Sequence, residues 1–344
     1  MKYKILAFWR YAIGIKQVVV QREASVKKSL SFLAVFFLLL SIVCFSGCSS
    51  NNGTCTNTLG RVKSYNVDAL TYDSAHNFLY AGTYQHGVWE YDGTTWTDTG
   101  GGVSSYIAAA LAYDSAHNVL YAGTKDHGVW EYDGTTWTDT SGGMTGSWIW
   151  ALAYDSAHNL LYAATNSNGV WEFDGATWTD TGGVMSSYKI YSLTYDSAHN
   201  LLYAGTDTNG AWKYDGTQWA KTGGGVKSYS VDALTYDSAH NLLYAGTDSN
   251  GVWKYNGSTW TDTGGGMKGL SSYSFAYDSA HNLLYAGTDS NGVWKYDGTS
   301  WHGTGGAVST YDIFALAYDS THHLLYAGTG EHGVWSLVNK QQKT

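Results

Sequence analysis

The chain has 344 residues with 42 Gly, no Pro, 16 Trp and 29 Tyr, a length that allows one large or two ordinary domains. Its 44% hydrophobic content supplies a packed core and excludes a disordered chain, and Gly-rich turns between aromatic and β-branched runs point to an all-β protein. The formal net charge of −9 becomes −15 without residues 1–47, where the basic count falls to 12 and the acidic count to 27; such a surface disfavours nucleic acid and anionic lipid headgroups as partners.

At the N-terminus, Lys27 and Lys28 precede the apolar run "LSFLAVFFLLLSIVCFSG" at residues 30–47, which closes on Ser46 and Gly47 before Cys48. This pattern resembles a bacterial lipoprotein signal, and the resemblance implies removal of residues 1–47 and lipidation of Cys48. An uncleaved membrane anchor is the alternative, because 18 residues of this kind just reach across a bilayer. An ordinary spanning helix has no need of the small-small-Cys ending. Translation from Val26 instead of Met1 would leave a compact "VKKSLSFL" opening and the same mature N-terminus. Residues 48–54 then form a short tether. Of the three cysteines, Cys44 falls in the signal and Cys48 at the lipid site, which leaves Cys55 and no disulfide framework or metal-type spacing.

From residue 55 to 338 the chain is repetitive. The tyrosine of "YDS" recurs at 72, 113, 154, 195, 236, 277 and 318, always 41 residues apart. Each unit reads as four short strands, as in "SVDALTY", "LLYAGT", "VWKY" and "TWTDT". They are separated by "DSAHN", by a turn ending in Asn-Gly or His-Gly, and by "DG" or "NG". Asn-Gly and Asp-Gly accept positive φ and are strong hairpin signals. No segment carries a helical apolar period. Four antiparallel strands in each of seven units predict a seven-bladed β-propeller; an open β-solenoid would need capping ends.

The ends complement each other. Residues 62–307 hold six complete units, and the seventh stops after "GVWSLV" without a fourth strand. "TCTNTLGR" at 54–61 aligns with the closing "TWTDTGGG" at 95–102, and Cys55 falls 41 residues before Trp96. The N-terminal strand is therefore predicted to complete the last blade, which removes exposed edges. Residues 339–344 remain as a tail.

The stretch "NLLYAGTDSNGVWKYDGTSWHGT" at 282–304 resembles the repeats of two-component-regulator propellers, the extracytoplasmic sensor domains of some bacterial hybrid kinases, and the likeness spans 55–338. It implies a propeller outside the cytoplasm. No spanning helix or kinase follows within the 344 residues, so coupling to a kinase in the same polypeptide is not expected. "EYDGTTW" at 90–96 also resembles the sialidase Asp-box, but Glu90 stands where Ser or Thr belongs and the spacing to Trp96 is one residue short. Sialidases place three arginines around the substrate carboxylate, whereas Arg61 is alone after residue 47. That enzyme class is set aside.

"DSAHN" holds the Asp, Ser and His of a hydrolase triad. It occurs six times intact and once as "DSTHH", whereas an active site is one constellation, so the motif reads as a hairpin turn. His76, His117, His158, His199, His240 and His281 would form a ring too wide to hold one ion. His86, His127 and His332 alternate with Asn before Gly, an exchange ascribed to turn geometry. His322-His323 has no evident ligand partner, and no metal or cofactor is expected. The two Trp columns, Trp89 to Trp335 and Trp96 to Trp301, read as packing between blades.

Differences among the seven copies concentrate in two places. One column at the start of the first strand reads Asn66, Ile107, Trp148, Lys189, Ser230, Ser271, Asp312; two residues on, another reads Asp68, Ala109, Trp150, Tyr191, Asp232, Tyr273, Phe314. Period-two alternation sets both columns on one side of the strand. The turn after "YAGT" also varies, and strand order puts it on the same rim. A diversified rim on a uniform scaffold reads as a binding surface.

Trp148, Trp150, Tyr191, Tyr273 and Phe314, with Asp68, Asp232, Asp312 and Lys189, form the expected contact set. The expected ligand is a glycan, peptide or protein outside the cytoplasm. The expectation is a monomeric, non-catalytic binding protein, lipid-anchored at the bacterial cell envelope with its uniform rim toward the membrane. The alternatives are a lyase or glycosidase at the channel mouth, or a purely structural envelope protein.

Overall fold

The structure is a computed structural model that describes residues 54–338 apart from 59, 141, 143, 145 and 146. The leader, Cys48 and the tail after residue 338 lie outside the described residues. Seven four-stranded antiparallel sheets follow one another in chain order. The first blade comprises Val67–Asp73, Phe78–Thr83, Val88–Tyr91 and Trp96–Asp98. This is the seven-bladed propeller that the 41-residue period predicts. Among the described residues helical structure is limited to short 3₁₀ turns in the connections, and no helix is long and apolar enough to cross a membrane.

The ring closes as its ends require. Thr54–Asn57 pairs antiparallel with Gly333–Val338, with Cys55 opposite Leu337 and Asn57 opposite Trp335. Thr58 donates its N–H (3.1 Å) and its hydroxyl (2.9 Å) to the carbonyl of Val334. Elsewhere the fourth-strand Trp stacks on a third-strand aromatic, as Trp96 does on Tyr91 at 4.9 Å. At the closure Cys55 and Leu337 fill that place, both buried. The next link round the ring is unchanged, since Trp96 Nε1 donates to Thr58 Oγ1 at 3.0 Å just as Trp137 Nε1 donates to Thr99 Oγ1 at 3.1 Å.

The core lies between blades, not within them. Tyr162, Ala164 and Val170 of the third blade pack with Ile190, Leu193, Leu202 and Trp212 of the fourth, and each neighbouring pair repeats the pattern. Burying a side chain of this size contributes about 1.5–3 kcal/mol, so a ring of similar seams replaces one central core.

"DSAHN" forms the turn between the first and second strands, on what we call the lower rim. In the first blade Asp73 Oδ1 accepts the N–H groups of Ala75 (2.8 Å) and His76 (3.2 Å), while Oδ2 bonds His76 Nδ1 at 2.7 Å. Asn77 closes the turn at φ 60°, and His323 does so at φ 55° in the "DSTHH" copy. The repeat tyrosine of the next blade joins the same carboxylate: Tyr154 donates to Asp114 Oδ2 at 2.7 Å, and Tyr318 to Asp278 Oδ2 at 2.7 Å. Burial and these carboxylates hold the tyrosine hydroxyls above their ordinary range. The motif is an interblade clip, and both oxygens of its Asp are committed to structure.

The His/Asn exchange in the second turn has a different cause from backbone conformation. Positive φ falls one residue earlier, at Gln85, Asp126, Ser249, Ser290 and Glu331. All three histidines and two of the four asparagines set a donor against the carbonyl two residues back, as His86 Nδ1 does on Tyr84 O at 2.8 Å and Asn250 Nδ2 on Asp248 O at 2.8 Å. Asn168 and Asn209 donate instead to the hydroxyls of Ser147 and Thr208. The following Gly87 sits at φ 67°, and a Cβ there would lie 2.6 Å from Val103 O in the connection to the next blade. Glycine lets that turn and connection touch.

Candidate ligand-binding site at the upper mouth of the channel

Each first strand begins with a bulge. Val67 pairs with Thr83 and Ala69 with Gly82, which leaves Asp68 as an extra residue, and the shift recurs in all seven blades. The bulged residues are Asp68, Ala109, Trp150, Tyr191, Asp232, Tyr273 and Phe314, the whole of the second variable column. A bulge bends its strand and re-aims the side chain it carries. Here all seven bulged residues line one cavity of about 670 Å³ at the upper mouth.

Period-two alternation placed the first variable column on the same side, and the bulge breaks that expectation. Only Trp148 and Ser230 of this column line the cavity. Others reach sideways to the second turn of the preceding blade. Asp312 Oδ1 accepts the N–H (2.9 Å) and hydroxyl (3.0 Å) of Ser290, Asn66 Oδ1 accepts the N–H of Glu331 at 2.9 Å, and Ser271 donates to Asp248 Oδ1 at 2.8 Å. Lys189 is exposed on the rim. Of the nine predicted contact residues, Asp68, Trp148, Trp150, Tyr191, Asp232, Tyr273 and Phe314 come together; Lys189 and Asp312 stand outside the lining.

Sequence reasoning left out Tyr84, Asp207 and Asp248, which also line the cavity. All three open the second turn. Its backbone folds back on the start of the first strand, with Asp207 N–H bonded to Lys189 O at 3.1 Å and Tyr84 N–H to Asn66 O at 3.0 Å. The signal was the variability of this turn, whose first position faces inward.

The lining joins aromatic rings to carboxylates. Trp148 stacks on Trp150 at 4.2 Å, Trp150 meets the edge of Tyr191 at 5.7 Å, and Tyr273 packs on Phe314 at 5.8 Å. The indole N–H groups of Trp148 and Trp150 are buried without a hydrogen-bond partner among the described residues, an arrangement that costs about 1–3 kcal/mol for each group. Lys125 from the second turn of the second blade sets its ammonium 4.3 Å from the centre of the Trp148 ring. Burial pushes the Asp68 carboxyl up to about 6. Asp232 is likewise pushed up to about 6, by burial first and then by the charges of Asp248 and Asp207, against an opposing hydrogen bond from Ser230. The Tyr191 hydroxyl is raised by burial and by Asp207 and Asp232. Among the described residues no group of three or more His, Cys, Asp or Glu is placed to hold a metal ion.

No protein-family model and no curated protein matches the sequence. Solved structures define the class as β-propeller. The chain is similar to the extracellular domain of BT4673 from B. thetaiotaomicron, described as a hybrid two-component system, at 20% identity and TM-score 0.67, over 83% of this chain and 39% of that one. It is similar to the GH74 xyloglucanase of Xanthomonas campestris at 17% identity and TM-score 0.66, over 85% of this chain and 54% of that one. A chain of the Mitotic Checkpoint Complex matches at 14% identity and TM-score 0.65, over 85% of this chain and 92% of that one. The chain thus spans well under half of BT4673's extracellular domain. Likeness at these identities establishes the fold, and one fold here serves three unlike proteins.

Proposed function

We propose that this protein is a ligand-binding propeller displayed on the bacterial cell envelope, held by lipid at Cys48 and engaging its ligand at the upper mouth. One observation carries the reading: the bulged position, which takes five residue types in seven blades, brings all seven of its side chains to one cavity. Neutral drift would vary both rims alike, whereas the first lower turn keeps Asp-Ser in all seven copies and the third lower turn keeps its Gly in all six. The extracellular source of one fold neighbour supports a place outside the cytoplasm. The strand Thr54–Asn57 starts at the lower rim, opposite Val338, which suits an anchor on the uniform side and a mouth facing outward.

A glycosidase or lyase is the second reading. Asp68 and Asp232 share the cavity, and carboxyls held near 6 suit acid–base work. They lie on the first and fifth blades, three blades apart by the shorter way.

The test is capture on glycan and peptide arrays by the full chain and by Trp150→Ala. Loss of at least about tenfold in affinity, with a thermal midpoint close to that of the parent, is the expected result. Undiminished capture, or an unfolded variant beside a Tyr273→Ala variant that folds and still binds, would remove the mouth from the binding reading. Release of reducing ends from a captured glycan, abolished in Asp232→Asn, would favour the enzyme.

A further inference from the structure

We propose that the mouth takes a small organic dication, an aliphatic diamine or polyamine, with one ammonium at Asp68 and the other at Asp232. This deepens the binding reading above and rests on it.

The order of the bulged residues round the ring carries the inference. Acids stand on the first and fifth blades. On one side of the line between them come Ala109, Trp150 and Tyr191; on the other come Tyr273 and Phe314. The rings within each wall touch, Trp150 with Tyr191 at 5.7 Å and Tyr273 with Phe314 at 5.8 Å. Two carboxylates at the ends and aromatic walls between them complement an apolar chain charged at both ends. Aromatic faces attract the polarised C–H groups beside an ammonium, and the carboxylates attract the ammonium itself.

Charge sharpens the choice. Asp207 and Asp248 add two further carboxyls beside Asp232, and among the described residues no Lys, Arg or His lines the cavity. A neutral sugar would leave the buried carboxylates of Asp68 and Asp232 without a countercharge, and an anion would be repelled. The molecule already holds one ammonium against this aromatic stack, since Lys125 Nζ lies 4.3 Å from the Trp148 ring centre. A volume of about 670 Å³ is within the usual span of small-molecule sites, about 300–1,000 Å³.

Isothermal titration of the full chain in detergent micelles tests this with 1,4-diaminobutane and spermidine, against butylamine and a neutral oligosaccharide. The diamine and triamine should bind, butylamine at least about tenfold more weakly, and Asp68→Asn and Asp232→Asn should each cost about tenfold or more. Asp98→Asn removes the same charge at an exposed fourth strand and should change nothing. Affinity should fall with added salt. It should also fall between pH 7.5 and 5 as Asp68, and Asp232 beside Ser230, Asp207 and Asp248, take up protons. Equal weakening by all three substitutions would mean unspecific attraction and overturn the proposal. Absence of amine binding, with a neutral ligand captured in a Trp150-dependent way, would overturn it and leave the binding reading standing. Absence of both would remove both.

Discussion

The two rims of the ring solve different problems with similar residues. Aspartates recur on both. On the lower rim Asp155 is wholly buried, yet it accepts the N–H groups of Ala157 (2.9 Å) and His158 (3.3 Å) and bonds His158 Nδ1 at 2.6 Å, with the Tyr195 hydroxyl added from the next blade. On the upper rim Asp68 is only part-buried, and burial alone pushes its carboxyl up to about 6. A carboxylate surrounded by donors supports its blade; one set among rings without compensating donors costs its blade stability. Retaining the second kind makes sense where something arrives to compensate it.

The largest effect that would break this comparison lies on the lower rim. Asp155→Ala strips several donors of their acceptor at once and should destabilise by on the order of 3 kcal/mol. Chemical denaturation measures this, and ligand capture below the unfolding transition should be preserved. A loss under about 1 kcal/mol would mean that the clips decorate the seams and that apolar packing alone closes the ring.

Asp68→Asn should act with the opposite sign. Between about pH 4 and 6 the native carboxyl holds its proton more tightly than the unfolded one, so stability falls as pH rises through that window and stays lower above it. Asn carries no such deficit. The variant should be more stable at pH 7.5 by on the order of 1 kcal/mol, after discounting for water at the mouth, and indistinguishable from the parent at pH 4. Stability that drops at pH 7.5 would show Asp68 to be a structural residue like Asp155.

The period made most of the fold legible. Seven copies of "YDS" fixed the blade count, and Cys55, which falls 41 residues before Trp96, located the closing strand that pairs with Leu337. The site was legible only in part, for a physical reason. A bulge normally betrays itself as an extra residue, but every copy carries it, so no copy is longer than another. Alternation therefore put Asp312 beside Phe314, whereas the bulge at 314 sends Phe314 into the mouth and leaves Asp312 to accept from Ser290 of the neighbouring blade. Tyr84, Asp207 and Asp248 were visible as variable turn residues. Their inward placement depends on backbone bonds to the first strand that residue types alone do not reveal.

The smallest effect sharpens the comparison inside the upper rim itself, between the positions that face the mouth and those that only shape its turns. His86 belongs to the second group. Its Nδ1 meets the Tyr84 carbonyl at 2.8 Å and its ring stacks on Tyr65 at 3.9 Å. Asn291 makes the same bond to Asp289 O at 2.8 Å in a blade whose second turn carries no histidine, so His86→Asn keeps the donor and loses only the stack. Stacking at a solvent-exposed pair contributes about 0.5 kcal/mol. The unfolding midpoint should move by no more than about a degree or two, with ligand capture unaltered because His86 does not line the cavity. A marked loss of binding in His86→Asn would mean that the contact surface extends from the bulged residues onto the turns, and that the boundary between recognition and scaffold runs outside the channel mouth.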